Sequence, residues 1–172
     1  KKDLPSNLVI PVSTKDQTNL PDIDLMTAEH LSGTSTKDPN VKLHFYHRLA
    51  KVVVNLSTDN ESISILEGVD VTMKGLKTEA SYDLLSESLI VDNNLPGADI
   101  SFPVSNAKAE GIILPRPAGE GVEFVITTTD GGKYTAALSS DFEFKEGYVH
   151  TFHLRLKSPA EISATIEPWI EG

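Results

Sequence analysis

Apolar and polar residues alternate with a period of two along most of this chain, the spacing that sends successive side chains to opposite faces of a β-strand. The pattern persists from Val41 onward. Val41, Leu43 and Phe45 share one phase, and Val52, Val54 and Leu56 share the opposite one. No turn residues separate Tyr46 from Lys51, so a one-residue bulge that keeps both sets pointing inward is the economical account. Ile63, Ile65, Val69, Val71 and Met73 continue the alternation until Lys74-Gly75 breaks it, which predicts one or two strands. Residues 80–91 fit two templates. Leu85 and Leu89 have helical spacing, whereas Tyr82-Leu84 and Leu89-Val91 read as two arms of a hairpin, which is the favoured reading. A loop at Asp92-Asn93-Asn94 and Pro96-Gly97 leads to Ile100-Ser101-Phe102, and Gly111 to Pro115 reads as a short buried strand. Val122 to Thr127, a turn at Asp130-Gly131-Gly132, and Lys133 to Leu138 predict a hairpin. Tyr148, His150, Phe152, Leu154 and Leu156 share one register in a strand closed by Pro159, and a last strand runs from Ile162 to Trp169. Strand and turn units recurring roughly every 10 residues predict an all-β protein, an antiparallel sandwich or barrel.

Residues 1–40 read differently. They carry Pro5, Pro11, Pro21 and Pro39 and only two short apolar clusters, so the predicted organisation is an N-terminal arm or interdomain connection over 1–40 and a sandwich domain over 41–172. In the first cluster Leu8, Ile10 and Val12 share a face, but Pro11 has no N–H to donate, which places such a strand at a sheet edge. The second cluster, Asp24 to Gly33, fits a short helix with Asp24 as N-cap and Gly33 just past its end, and equally another extended stretch.

Composition narrows the function classes. A chain of 172 residues is long enough for one domain, or for one domain with a substantial extra arm, but short for two independent enzyme domains. It should bury roughly 70% of the surface its unfolded form exposes, enough to fold without disulfides or a structural metal. The absence of cysteine removes thiol catalysis, cysteine zinc sites and iron–sulfur clusters. A net charge of -10 opposes phosphate backbones and anionic membranes, so nucleic acid is not an expected partner. No apolar run is long enough for a membrane span, so no direct membrane insertion of this chain is expected.

Candidate chemistry is sparse. His30, His44, His47, His150 and His153 are the candidate metal ligands or bases, and two pairs have a spacing of three. On a regular strand that spacing sends the two rings to opposite faces, so a four-histidine site would require a bulge in each strand. The plainer expectation is His47 against the core rim with a hydrogen-bond partner, and His44, His150 or His153 on a sheet face. Asp92, Asp99, Glu110 and Glu123 offer carboxylates, but their spacing fixes no glycosidase pair. Asp22-Ile23-Asp24 and Asp92-Asn93-Asn94 lack the pattern of a calcium loop, and Gly131-Gly132 lacks the lysine and helix of a phosphate loop. No catalytic, metal or cofactor-binding residue is assigned and no cofactor is expected. Trp169, beside Pro168, reads as a sandwich plug rather than a sugar platform.

Several strand phrases, in order, resemble the fimbrillin family of Bacteroidales surface pili. They are Asp24-Leu25-Met26-Thr27-Ala28, then Val41 to Leu56 with its Phe45-Tyr46-His47-Arg48-Leu49-Ala50-Lys51-Val52 run, then Val71 to Gly75 and Ser81 to Leu84. Asp130 to Tyr134, Phe144 to Tyr148 and the terminal Pro168-Trp169 complete the series, which covers residues 24–172 in outline. The resemblance implies a Greek-key-like, transthyretin-type sandwich of about seven strands. It also implies a two-domain lipoprotein exported to the outer membrane or fimbrium. This chain departs from that pattern in holding only the C-terminal sandwich and no lipobox cysteine, so it reads either as a fragment or as a one-domain variant beginning after a lipid anchor upstream of Lys1.

The expected function is therefore a non-enzymatic cell-surface adhesion protein, a pilus subunit at a tip or accessory position more than in the shaft. Its partners would be other pilus subunits or host and bacterial surface ligands. Assembly by donor strand exchange needs an unpaired strand edge, and the candidate strand-pairing residues are Leu8, Ile10, Val12, Ile162, Ile166 and Trp169. The first three equally fit a segment that covers the domain's own edge. The alternative function is a surface lipoprotein that binds glycans.

Overall fold

The computed structural model describes residues 8–28, 42–58, 66, 68–117, 122–156 and 161–169. In chain order its elements are β1 (Val9–Ser13), α1 (Leu20–Ile23), β2 (Met26–Ala28), β3 (Phe45–His47), β4 (Ala50–Thr58), β5 (Asp70–Leu76), β6 (Glu79–Asp83), β7 (Ser88–Val91) and β8 (Ala98–Phe102). There follow β9 (Val104–Ser105), β10 (Lys108–Ile113), β11 (Arg116–Pro117), β12 (Glu123–Thr127), β13 (Lys133–Ala137), β14 (Glu143–Phe144), β15 (Tyr148–Leu156) and β16 (Glu161–Pro168). The chain is all-β, as the period-two pattern predicts.

Two sheets form the sandwich, one ordered β16-β15-β4-β10-β9 and the other β13-β12-β5-β8. Every pair is antiparallel except β4 with β15, which run parallel with Val52 opposite His150 and Val54 opposite Phe152. The inward-facing residues of the two sheets make the main core, with Val52, Val54, Val71, Met73, Phe124, Ile126, Phe152 and Leu154 all buried. Gly111 lies in this interface because the ring of Phe102 occupies the space a side chain would need.

A second apolar layer is built partly from the N-terminal segment. On β10, Ile112 points away from the main core that Ile113 enters, and it joins Leu49, Leu114, Val12, Ala80 and Tyr82 in a separate buried cluster. The three-stranded sheet β1-β6-β7 and residues Leu20, Ile23 and Leu25 cover that cluster. β5 bulges at Gly75, where φ is +74° and the pairing with β8 shifts register between Met73 and Leu76, and Leu76 beyond the bulge still pairs with Ala98 and lies in the main core. Lys74-Gly75 therefore kinks a continuous strand rather than ending it.

Three local expectations hold and two change. The hairpins β6–β7 and β12–β13 form as expected, and β1 is an edge strand. The bulge expected between Tyr46 and Lys51 is instead a break between sheets: β3 pairs with β2, and β4 joins the sandwich. Leu43 and Phe45 are consequently 51% and 56% exposed, while His47 and Leu49 are the residues that turn inward. Asp24 is not an N-cap, because the one-turn helix α1 ends before it and Met26–Ala28 continue as strand. Gly33, His30, Val41, Ile63, Ile65 and Pro159 lie outside the described residues.

Candidate functional site: strand edges and an aromatic clasp

The backbone ladders decide which edges are open. Between β1 and β6 the residue numbers of each pair sum to the same value, and Leu84 N–H donates to Leu8 C=O while Thr14 N–H donates to Thr78 C=O. In an antiparallel ladder, hydrogen-bonded pairs alternate with pairs whose backbone groups face the other way. Leu8, Ile10, Val12 and Thr14 therefore bond to β6, and Val9, Pro11 and Ser13 face the outer edge. The missing N–H of Pro11 lies on the outside, so it costs the internal ladder nothing and blunts the edge.

The same reasoning applies to β16. Trp169 N–H donates to Gly147 C=O in register with the β15–β16 pairs, so the odd-numbered residues of β16 bond to β15. The backbone groups of Ile162, Ala164, Ile166 and Pro168 face outward, and again the proline is on the open side. No strand pairs with the outer edges of β1 or β16 among the described residues.

The candidate strand-pairing residues thus fall into two environments. Leu8 is half-buried and Val12 buried, with Ile10 at 38% exposure opposite Tyr82, and the backbone of all three is used within the chain. Ile162 sits opposite Leu154, Ile166 opposite His150 with its side chain 40% exposed, and both present backbone groups to the open edge.

Trp169 does something else. Its indole stacks on the imidazole of His47 with centroids 3.6 Å apart and planes 6° from parallel. His47 is buried, and its Nδ1–H donates to Asp24 Oδ1 at 3.0 Å, since an ionised carboxylate can only accept. Lys51 Nζ lies 5.7 Å from the indole centroid and 3.3 Å from Glu110 Oε2. Arg48 flanks the cluster, bonded through Nε to Thr27 Oγ1 at 2.6 Å and through Nη1 to Glu146 Oε1 at 2.9 Å. The clasp joins three stretches distant in sequence: residues 24–27, the β3–β4 junction and the end of β16. The stack contributes roughly 0.5–1.5 kcal/mol, the cation–π contact roughly 0.5–1 and the Trp169 backbone bond about 1, all at one point.

Among the described residues the remaining histidines do not converge. His44 and His153 are exposed, and His150 is fully buried on β15. Lys145 N–H donates to His150 Nε2 at 3.0 Å, which leaves the ring proton on Nδ1. Nδ1 is buried with no hydrogen-bond partner among the described residues, beside the rings of Phe142 and Phe144. Burial is the main cause that holds the His150 pKa below its ordinary value. Among the described residues no three His, Asp or Glu side chains group as a metal site would. Of the candidate carboxylates, Glu110 is paired with Lys108 and Lys51, and the Lys108 hydrogen bond is the largest cause that lowers its pKa.

The sequence missed two features. Gln17 is buried and behaves as a one-residue strand: its Oε1 accepts from Ile112 N–H at 2.8 Å, and its Nε2 donates to Ile112 C=O at 2.8 Å and to Thr14 C=O at 2.6 Å. A lone Gln in a polar segment carries no signal for this. Leu43, Phe45 and Tyr46, each about half exposed, line an open cleft beside Met26, His47 and Trp169. Alternation along the chain predicts Leu43 and Phe45 in the core, and both are exposed.

A two-sheet sandwich carrying a further three-stranded sheet, with the outer edges of β1 and β16 unpaired among the described residues, defines a β-sandwich protein. The chain belongs to the fimbrillin-like family, whose sequence model matches residues 3–169. It is 28% identical over 181 aligned positions to a Bacteroides uniformis protein named "Putative fimbrium subunit Fim1C", the match covering all of this chain and 59% of that protein. A crystal structure of a "putative cell adhesion protein" from Bacteroides uniformis superposes with a TM-score of 0.86 at 27% identity, covering 99% of this chain and 70% of that one. A protein described in the same words from Bacteroides ovatus shares the fold, with a TM-score of 0.75 at 20% identity over 99% of this chain and 63% of its own. The chain therefore spans about three fifths of the length of the curated relative.

Proposed function

We propose that this chain is a non-enzymatic structural subunit of a bacterial fimbrium, exposed at the cell surface and joined to its neighbours by β-strand pairing. The observation that carries the reading is the outer edge of β16, read together with membership of the fimbrillin-like family. β16 runs for eight residues, against five for β8 and β13 at the edges of the facing sheet. Ile162, Ala164 and Ile166 turn unpaired N–H and C=O groups outward, and such an edge is a template for another strand. β1 supports a different role for the N-terminal segment: its ladder is spent on β6 and its free side is blunted by Pro11, as suits a cover for the second core.

The proposal extends to a tip or accessory position, and to attachment at the outer membrane through a lipid anchor upstream of Lys1. Its partners are other fimbrial subunits or surface ligands. No helix among the described residues is long and apolar enough to cross a membrane.

Immunogold microscopy of the producing bacterium tests the assignment, with label expected on surface fibres and at their ends for a tip subunit; label confined to the cell interior overturns it. Ile166→Pro removes only an outward-facing N–H, so it should preserve the melting temperature while abolishing incorporation into fibres. Normal incorporation of that variant would sink the β16 edge as the joint. Micromolar binding of a defined glycan by the purified chain, read on an array, would favour a surface glycan-binding protein instead.

A further inference from the structure

We infer that residues 139–145 form a strap held closed on the main core by the neutral ring of His150, and that the strap opens locally when this ring takes up a proton. Both ends of the segment are fixed. Leu138 N–H donates to Val122 C=O at the end of β13, and beyond the strap Glu146 pairs with Arg48 while Gly147 N–H donates to Leu49 C=O. Between those points the backbone is weakly held. β14 is two residues long, and its partner β11 is Arg116–Pro117, in which Pro117 has no N–H to donate. The Phe142 N–H to Ser139 C=O bond is internal to the strap, and the Tyr148 N–H to Lys145 C=O bond is long at 3.3 Å. Side chains do the rest: Phe144 is buried in the main core and Phe142 packs against it.

His150 pins this segment from β15. Its Nε2 accepts the Lys145 N–H at 3.0 Å, and the rings of Phe142 and Phe144 meet its own edge to face at centroid distances of 5.7 and 5.3 Å. The bond requires an unprotonated Nε2. A proton there sets two N–H donors against each other, and Nδ1 is already buried with no acceptor among the described residues, so neither proton of an imidazolium finds a partner. Burial opposes a charge on this ring first, the Lys145 ammonium opposes it as well, and Glu143 favours it. The residues opposite His150 on β4 and β16 are Val52 and Ile166, which carry no charge. One side of the contact must give way. β15 runs for nine residues and is paired on both sides, by β4 and by β16, whereas the strap has one two-residue ladder. The ring therefore stays and the strap leaves, which uncovers Phe142 and Phe144 and admits water to His150 while β4 and β12 remain paired.

Amide hydrogen exchange of the full chain, followed by NMR at pH 7.5 and 5.5 and in low urea, tests this. After division by the intrinsic rate at each pH, exchange at the Lys145 amide should rise by up to about tenfold on acidification, because opening takes up one proton. That amide should also be less protected than those of β4 and β12, and low urea, which speeds exchange by global unfolding, should leave it unchanged. Exchange at Lys145 that follows β4 and β12 in urea, or that shows no dependence on pH beyond the intrinsic rate, overturns the strap. His150→Gln offers a neutral acceptor at every pH, so it should keep the local opening and lose its pH dependence; a dependence that survives in this variant overturns the role of His150. If the variant does not fold, titration of the wild-type ring decides: His150 should gain its proton over the pH range in which Lys145 loses protection, and a ring that titrates while Lys145 stays protected overturns the inference.

Discussion

His150 is a single side chain that makes the stability of the sandwich depend on pH. It is fully buried, its Nε2 accepts a backbone hydrogen bond, and burial is the first cause of its lowered pKa. Above the ordinary histidine value of 6.5 both folded and unfolded states hold it neutral, and its contribution to stability is complete. As the pH falls below that value the unfolded chain takes up a proton that the folded chain refuses, so stability is lost progressively until the lowered folded value is passed. Urea melts at pH 7.5 and 5.5 should show that loss, and His150→Gln should flatten it; an undiminished slope in the variant would assign the effect elsewhere. The placement of this histidine was legible, because its register with Phe152 and Leu154 marks it as inward-facing. The aromatic surroundings were not, since Phe142 and Phe144 approach from a separate short strand and its connection.

Two contacts between elements depend on space and hydrogen bonding rather than on pattern. Gly111 on β10 leaves room for Phe102 of β8, and an alanine there would overlap the ring and come within 2.9 Å of Gln17 Oε1. Gly111→Ala should cost about 1–3 kcal/mol as overpacking, seen as a lower denaturation midpoint; an unchanged midpoint would mean that the ring moves freely. Gln17 fastens the N-terminal segment to the same strand with three hydrogen bonds. Gln17→Ala leaves the Ile112 N–H and C=O buried without that partner, and should cost about 2–3 kcal/mol. Hydrogen exchange at the Ile112 amide should quicken by more than the global loss accounts for; protection that falls only in step with the melt would assign the anchor to other contacts. Pro11 as the mark of an edge strand was readable locally, because a missing N–H is a property of one residue. Which side of β1 that gap faces depends on register with β6, some seventy residues away.

Over the whole molecule, three of the phrases that resemble fimbrillins are neighbours in space. Asp24, His47 and Trp169 come from three of those phrases and meet in one cluster, which gives the resemblance a physical basis in the packing of chain ends. The sequence by itself determined the all-β class, the β12–β13 hairpin, the inward residues of β4 and β15, and the acidic, cysteine-free composition. These are consequences of period two, turn chemistry and composition, which are local or additive. Only the tertiary structure decided that β3 and β4 belong to different sheets, that Leu43 and Phe45 face outward, and that a buried Gln17 completes β10. It also decided which side of each edge strand is open. Those outcomes depend on which strand pairs with which and in what register, and alternation along one strand is the same whether its partner lies on the left or on the right.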